Sequence, residues 1–359
     1  MLWSNATGDL DRSAMSRALK PLVGITMGDP AGIGPEIIVK AWPHPEVHAW
    51  CRPLAVGDAR IFRRALAVCG LSLELRPIRD PARAKPSPRA LYVLDVPSIT
   101  PVRAVPGRLA SACGRAAVRS VLAAIDRALA GDLDAVVTAP LNKEAMRLAR
   151  YRFDGHTEIF GARTRARRVA MMLVVGPMRV IHVSTHTALR VACRKVSQRR
   201  VLETIRLAHA AVRQFGVRAP RVAVAGLNPH AGEGGLFGRE EIREIIPAIS
   251  AARQEGINAL GPFPPDTVFY RARRGEFDCV VAMYHDQGHI PMKLLGFDRG
   301  VNVTVGLPIV RTSVDHGTAF DIAGQGIADE RSLVEAIRVA ARLARRRKAD
   351  RTRGDDGRT

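Results

Sequence analysis

Three histidines in this 359-residue chain stand just beyond short apolar runs. His186 closes Val180-Ile-His-Val-Ser-Thr-His, His230 closes Val222-Ala-Val-Ala-Gly-Leu-Asn-Pro-His, and His285 follows Val280-Val-Ala-Met-Tyr. They are far apart in sequence, so no short metal motif joins them. In an open parallel sheet, ligands bind beyond the carboxyl ends of the strands. Three imidazoles delivered there would hold one divalent cation and leave positions open for substrate oxygens. For any one of them alone, a structural, hydrogen-bonded role competes. His182 lies inside its apolar run and reads as a core residue.

Further polar groups gather at the same kind of position. Lys143 follows Ala135-Val-Val-Thr-Ala-Pro-Leu-Asn, and Lys293, Arg299, Asn302 and Arg311 come soon after His285. Cations close to a metal-binding histidine suit an anion such as a carboxylate or phosphate. Asp266 sits in the rigid turn Pro264-Pro-Asp-Thr267. Gly28-Asp-Pro-Ala-Gly-Ile-Gly lacks the spacing of a dinucleotide fingerprint and reads as a tight strand-to-helix turn.

These groups need strands to carry them. Val/Ile-rich runs predict strands at Leu22–Met27, Leu91–Leu94, Ala135–Thr138, Met178–Val183, Arg221–Leu227 and Cys279–Tyr284. Amphipathic stretches predict helices at Pro35–Ala41, Ala59–Cys69, Leu109–Ala130, Lys195–Phe215, Arg239–Glu255 and Asp329–Arg347. Pro77–Arg89 reads as a loop. The alternation argues for an α/β fold with a mostly parallel sheet covered on both sides.

Apolar residues at 47% and charged residues at 25% exclude disorder for the bulk of the chain. No run is long and apolar enough for a membrane helix, and the polar N-terminus is no signal peptide, so a cytoplasmic protein is expected. Met15 is as good a start as Met1. The five cysteines are scattered among apolar or small residues and read as buried free thiols. The net charge of +21 raises nucleic acid as a partner, but aromatics are only 5% and do not interleave with the arginines. A solvated basic tail, and no nucleic acid, is the expectation.

Gly28-Asp-Pro-Ala-Gly-Ile-Gly-Pro-Glu36, Gly155-His-Thr-Glu158, Ser184-Thr-His186, Leu227-Asn-Pro-His-Ala-Gly-Glu233, Gly261-Pro-Phe-Pro-Pro-Asp-Thr267 and Tyr284-His-Asp-Gln-Gly288 resemble the 4-hydroxythreonine-4-phosphate dehydrogenase family. So does the block from Arg299 through Ala319, and the resemblance runs in order from about Leu22 to Arg342. It implies two α/β/α domains related to the isocitrate and isopropylmalate dehydrogenases, and a homodimer with active sites at the subunit interface. Expected bounds are a flexible extension at 1–20, a nucleotide-side domain of 21–130 with 310–346, a metal, substrate and dimer domain at 131–309, and a disordered basic tail at 347–359. The implied activity is NAD-dependent oxidation of a phosphorylated hydroxy acid, with loss of its carboxylate as CO2.

Carried over by motif, His186, His230 and His285 are the ligands of a divalent metal (zinc, magnesium or cobalt). His156, Thr157, Lys293, Asn302 and Arg311 bind substrate, with Asp266 and Asp286 lining the same site. The loop holding His316, Gly317, Thr318, Asp321 and Gly324 resembles the adenosine loop of the isopropylmalate dehydrogenases and is where NAD is expected. Asp286 and Lys293 compete for the substrate's hydroxyl proton. One position departs: His289 stands where the vitamin B6 enzymes carry an apolar residue. Gln287-Gly-His-Ile-Pro resembles instead a branch acting on D-threonate or D-erythronate 4-phosphate, with relatives that oxidise aromatic cis-dihydrodiol carboxylates. A metal-dependent hydrolase or aldolase using the same histidines without a nucleotide is the alternative from another class.

Overall fold

A computed structural model of the chain describes residues 20–296 and 298–355. The expected N-terminal extension and the choice between Met1 and Met15 fall outside these residues, save for Lys20.

The described strands are β1 (Leu22–Thr26), β2 (Arg52–Gly57), β3 (Glu74–Ile78), β4 (Ala90–Asp95), β5 (Ala135–Thr138), β6 (Ala170–Val175), β7 (Met178–His182), β8 (Val222–Ala225), β9 (Ala259–Phe263), β10 (Cys279–Ala282), β11 (Val301–Val305) and β12 (Val310–Val314). They form one sheet in the order β3-β4-β2-β1-β5-β12-β11-β6-β7-β10-β8-β9. Only β12–β11, β11–β6 and β6–β7 pair antiparallel; every other adjacency is parallel. β1, β5, β8 and β10 are buried at every position, as strands covered on both faces must be, whereas β3 is an exposed edge strand.

Three successive reversals separate β12 from β7, so the two parallel blocks run in opposite directions. This corrects one expectation. His186, His230 and His285 do leave parallel neighbours, β7, β8 and β10. The segments after β1 and β5 leave the sheet at its opposite edge. The two sets meet across the antiparallel middle. β5 pairs with β1 on one side and β12 on the other, which makes the first parallel block continuous.

The helix Arg331–Asp355 packs on β12 and β5 and extends past the predicted end. Residues 347–355, expected as a disordered tail, are therefore helical. Lys348 pairs with Asp134 at 2.7 Å, and Arg347 donates to the Pro308 carbonyl. The tight-turn reading of the glycine-rich segment holds. Gly28 has φ +71°, and a Cβ there would lie 2.2 Å from the Pro140 carbonyl oxygen. All five cysteines are free, and Cys51, Cys113 and Cys279 are buried.

Candidate active site

A cavity of about 670 Å³ opens over the middle of the sheet, lined from both blocks. Thr138 comes from the end of β5, Ser313 from β12, Asn302 from β11, and His182 from the end of β7.

Its anion end is built around Arg311. This guanidinium is 2% exposed and sits mid-strand in β12. It donates to Thr304 Oγ1 at 2.8 Å and Thr138 Oγ1 at 2.7 Å, both neutral hydroxyls, and lies 5.6 Å over the Phe160 ring. Among the described residues it makes no ion pair. Burial pulls its pKa down to about 9, which still leaves it protonated at neutral pH. Beside it, helix His156–Thr164 starts at Gly155 with no side-chain cap, so its first backbone N–H groups are available to an anion. Gly155, His156, Thr157 and Glu158 all face the cavity. Burial, then the Arg311 charge, holds His156 well below the usual imidazole range. His156 Nε2 and Asn302 Oδ1 are buried without a hydrogen-bond partner. A buried cation, unpaired polar atoms and an uncapped helix start in one place suit an anion such as a carboxylate or phosphate.

At the opposite end His182 and His186 line the cavity, and His285 and His289 stack beside them outside its lining. His186 and His285 have ring centroids 5.5 Å apart. Behind His285, His289 lies flat on it, at 3.6 Å and 10° between planes, and its Nδ1–H donates to the His285 carbonyl at 3.0 Å. His182 follows at 4.7 Å from His289. Gly288 permits this approach, since a Cβ there would sit 2.3 Å from His182 Nε2. Burial, then the charge of His289, lowers His182 to about 3; burial, then His285, lowers His289 to about 4. His186 is lowered by burial and then by Lys143. Neutral imidazole is the form that binds metal. His285 Nδ1 meets Asp286 Oδ1 at 2.6 Å, which fixes the tautomer and leaves Nε2 for an ion.

His230 is placed differently. It lies in Pro229–Gly235, where His230, Ala231, Gly232, Glu233 and Gly234 all have φ between +43° and +83°. Left-handed backbone costs about 1–2 kcal/mol for each non-glycine residue, so something must hold the segment. Glu241 does so: its buried carboxylate accepts from Leu227 N at 2.7 Å, Asn228 N at 2.8 Å and Asn228 Nδ2 at 2.9 Å. His230 itself is exposed, with Phe237 as its ring neighbour at 6.1 Å. Among the described residues, no three His, Cys, Asp or Glu side chains in this single chain stand together as a metal site. Two of the three candidate ligands fit an ion; the third lies apart.

The remaining candidates divide. Lys293, Lys143, His316 and Gly317 line the cavity. Asp286 and Asp266 are exposed and are not part of its lining. Thr318 packs on the turn after β1, its carbonyl accepting from Ile33 N at 3.0 Å. Gly324 is tied to Glu36, while Asp321 is exposed. Burial raises the pKa of Asp315, which lines the cavity beside His316. Sequence reasoning gave no role to two groups: Glu36, which accepts from Gly324 N at 2.6 Å and Gly326 N at 2.8 Å, and Glu241. The pairing of a carboxylate with a glycine-rich loop 288 or more residues away leaves no local sequence signal.

A model of the pyridoxal phosphate biosynthetic protein PdxA family matches residues 49–340. The D-threonate 4-phosphate dehydrogenase of Cupriavidus necator is 51% identical over 328 residues, 91% of this chain and 98% of that one. The 4-hydroxythreonine-4-phosphate dehydrogenase of Beijerinckia indica subsp. indica is 50% identical, over 89% of this chain and 94% of its own. The crystal structure of a 4-hydroxythreonine-4-phosphate dehydrogenase from Klebsiella pneumoniae superposes with a TM-score of 0.85 at 46% identity, covering 90% and 99% of the two chains. Family model, relatives and fold agree along nearly the whole chain, which belongs to the pyridoxal phosphate biosynthetic protein PdxA family and is an oxidoreductase of its dehydrogenase type.

Proposed function

We propose that the chain oxidises the hydroxyl of a hydroxy acid that carries a terminal phosphate. Hydride passes to NAD, and the resulting β-keto acid loses CO2. The observation that carries this reading is the buried Arg311, which makes no ion pair among the described residues, in the same cavity as His186 and Lys293. Arg311, Asn302, His156 and the helix start at Thr157 hold the phosphate, which leaves the hydroxyl for the imidazole end.

His186, His230 and His285 would hold the metal, and the loop with His316, Gly317, Thr318, Asp321 and Gly324 would hold NAD. When bound, the metal supplies a Lewis acid for the hydroxyl oxygen, and the nicotinamide accepts the hydride. Lys293 takes the hydroxyl proton, because it lines the cavity while Asp286 is engaged in orienting His285. The block of β1–β5 and β12 forms the nucleotide side, and β6–β11 form the metal and substrate side.

Two observations support a homodimer with shared sites. His230 stands apart from the His186–His285 pair within one chain. Each candidate ligand is also followed by exposed apolar side chains: Leu189 after His186, Leu236 after His230, and Ile290 and Leu294 after His285. Large apolar groups at such positions suit burial against a second copy. Among the described residues, no helix is long and apolar enough to cross a membrane, and an NAD-dependent reaction of this kind suits the cytoplasm.

The first reading of the substrate is 4-hydroxythreonine 4-phosphate. The second is D-threonate or D-erythronate 4-phosphate, favoured by His289 against the candidate metal ligand His285. Dialysis against a chelator should abolish NADH formation from either acid, and zinc, magnesium or cobalt should restore it. Unchanged turnover in metal-free protein would contradict the proposal.

Glu36 provides a separate expectation. Both of its oxygens brace the 324–326 backbone. Glu36→Gln replaces one acceptor with a donor facing an N–H. A charge-assisted hydrogen bond is worth roughly 1.5–3 kcal/mol, so KM for NAD should rise about tenfold or more. KM for the acid should stay near the parent value; an equal rise in both would place the defect elsewhere.

A further inference from the structure

The helix Arg331–Asp355 carries Arg338, Arg342, Arg345 and Arg346 at i, i+4, i+7 and i+8, a single helical face. All four line a cleft of about 470 Å³ that shares no lining residue with the active-site cavity. Trp50, Gln214 and Phe215 supply the other wall.

The charges in this cleft are only half compensated. Arg338 pairs with Glu335 at 2.7 Å and Arg346 with Asp350 at 3.3 Å. Among the described residues, Arg342 and Arg345 meet no carboxylate. Arg342 donates to the Phe215 carbonyl at 2.8 Å and lies 5.7 Å over the Phe215 ring. Arg345 donates to the Ala49 carbonyl at 3.1 Å and to that of Trp50. Those carbonyls end the helices Pro45–Trp50 and Gln198–Gln214, so each guanidinium is anchored through one terminal nitrogen. Capping two helix ends accounts for that nitrogen. It does not account for four cations on one wall of a cleft whose two carboxylate partners, Glu335 and Asp350, lie outside its lining.

Guanidinium forks match phosphoryl oxygens two at a time. A single phosphate would underfill this space, whose volume is within the roughly 300–1,000 Å³ of small-ligand sites. We propose that the cleft is a second anion site, distinct from the active site, which takes an oligophosphate: a small molecule with two or more linked phosphoryl groups. The chain's surplus of cations raises the local concentration of such ligands.

Titration calorimetry on the full chain tests this, with tripolyphosphate and adenosine triphosphate as probes at fixed ionic strength. One saturable site per chain is expected, retained in Arg311→Met, where the active-site phosphate receptor is gone. Gln214→Glu puts a carboxylate into the cleft without disturbing any arginine; it should weaken binding tenfold or more and leave turnover unchanged. Arg342→Gln with Arg345→Gln should abolish binding, whereas Arg119→Gln, an exposed cation elsewhere, should change little. Tighter binding of the nucleotide would assign the phosphate chain to a nucleotide, and tighter binding of tripolyphosphate to a free polyphosphate; either retains the proposal. Binding unaffected by Gln214→Glu, weakened equally by Arg119→Gln, or lost in Arg311→Met would overturn it.

Discussion

Arg311→Met should lower kcat/KM for a phosphorylated substrate by about thirtyfold to a few thousandfold. The estimate rests on the roughly 2–5 kcal/mol lost when one partner of a buried, hydrogen-bonded charge pair is removed. For the dephosphorylated analogue the change should be small, because the contact that is lost is to phosphate. Stability should move the other way. A buried cation with only hydroxyls for partners is costly to desolvate, so an apolar residue of similar length should leave Tm unchanged or raise it. Inorganic phosphate should stabilise the parent and not the variant, since a ligand stabilises only the state that binds it. Another reading of the sequence would pair Arg311 with Asp315 or Asp321, to shape the nucleotide loop. The side chain instead reaches Thr138 and Thr304, on β5 and β11. Were that reading right, the defect would be a raised KM for NAD whichever acid is used.

The second large effect concerns the metal ligands. His230→Ala and His285→Ala should each be inactive and low in bound metal, with the fold intact. If the ligand set is completed between two copies, mixing these two inactive proteins should bring activity back. A mixed dimer holds one site with every ligand and one with neither. Random exchange makes half the dimers mixed, so recovery should approach about a quarter of parent activity. No recovery after verified exchange would place all three histidines in one subunit's site, and the left-handed segment around His230 would then have to move. Activity in metal-free His230→Ala would remove it from the ligand set altogether.

How much of this was legible follows the chemistry of the strands. Runs such as Val222–Ala225 and Cys279–Ala282 are apolar throughout and announce themselves. β11 and β12 do not, because Asn302, Thr304, Arg311 and Ser313 interrupt their apolar pattern. Those interruptions belong to the site: functional residues break the local rule that would otherwise reveal the element carrying them. β3 is an exposed edge strand with little apolar content, and β9 carries Gly261 and Pro262. The motifs showed which histidines follow strands. They could not show that the two parallel blocks oppose each other, since direction is set by the three antiparallel pairings in the middle. Nor could spacing reveal the His182–His289–His285 stack, which depends on Gly288 bringing a helix down onto β7.

The central claim is oxidation of a phosphorylated hydroxy acid by NAD at the Arg311 cavity. Its most direct test is NADH and CO2 release, measured together, with NAD and a divalent metal present. The acids to compare are 4-hydroxythreonine 4-phosphate, D-threonate 4-phosphate, D-erythronate 4-phosphate, a cis-dihydrodiol dicarboxylate and the dephosphorylated form of the best substrate. The account predicts equal amounts of NADH and CO2 from at least one phosphorylated acid, and a kcat/KM lower by a hundredfold or more once its phosphate is removed. No NADH from any of them, or equal turnover with and without the phosphate, would contradict it.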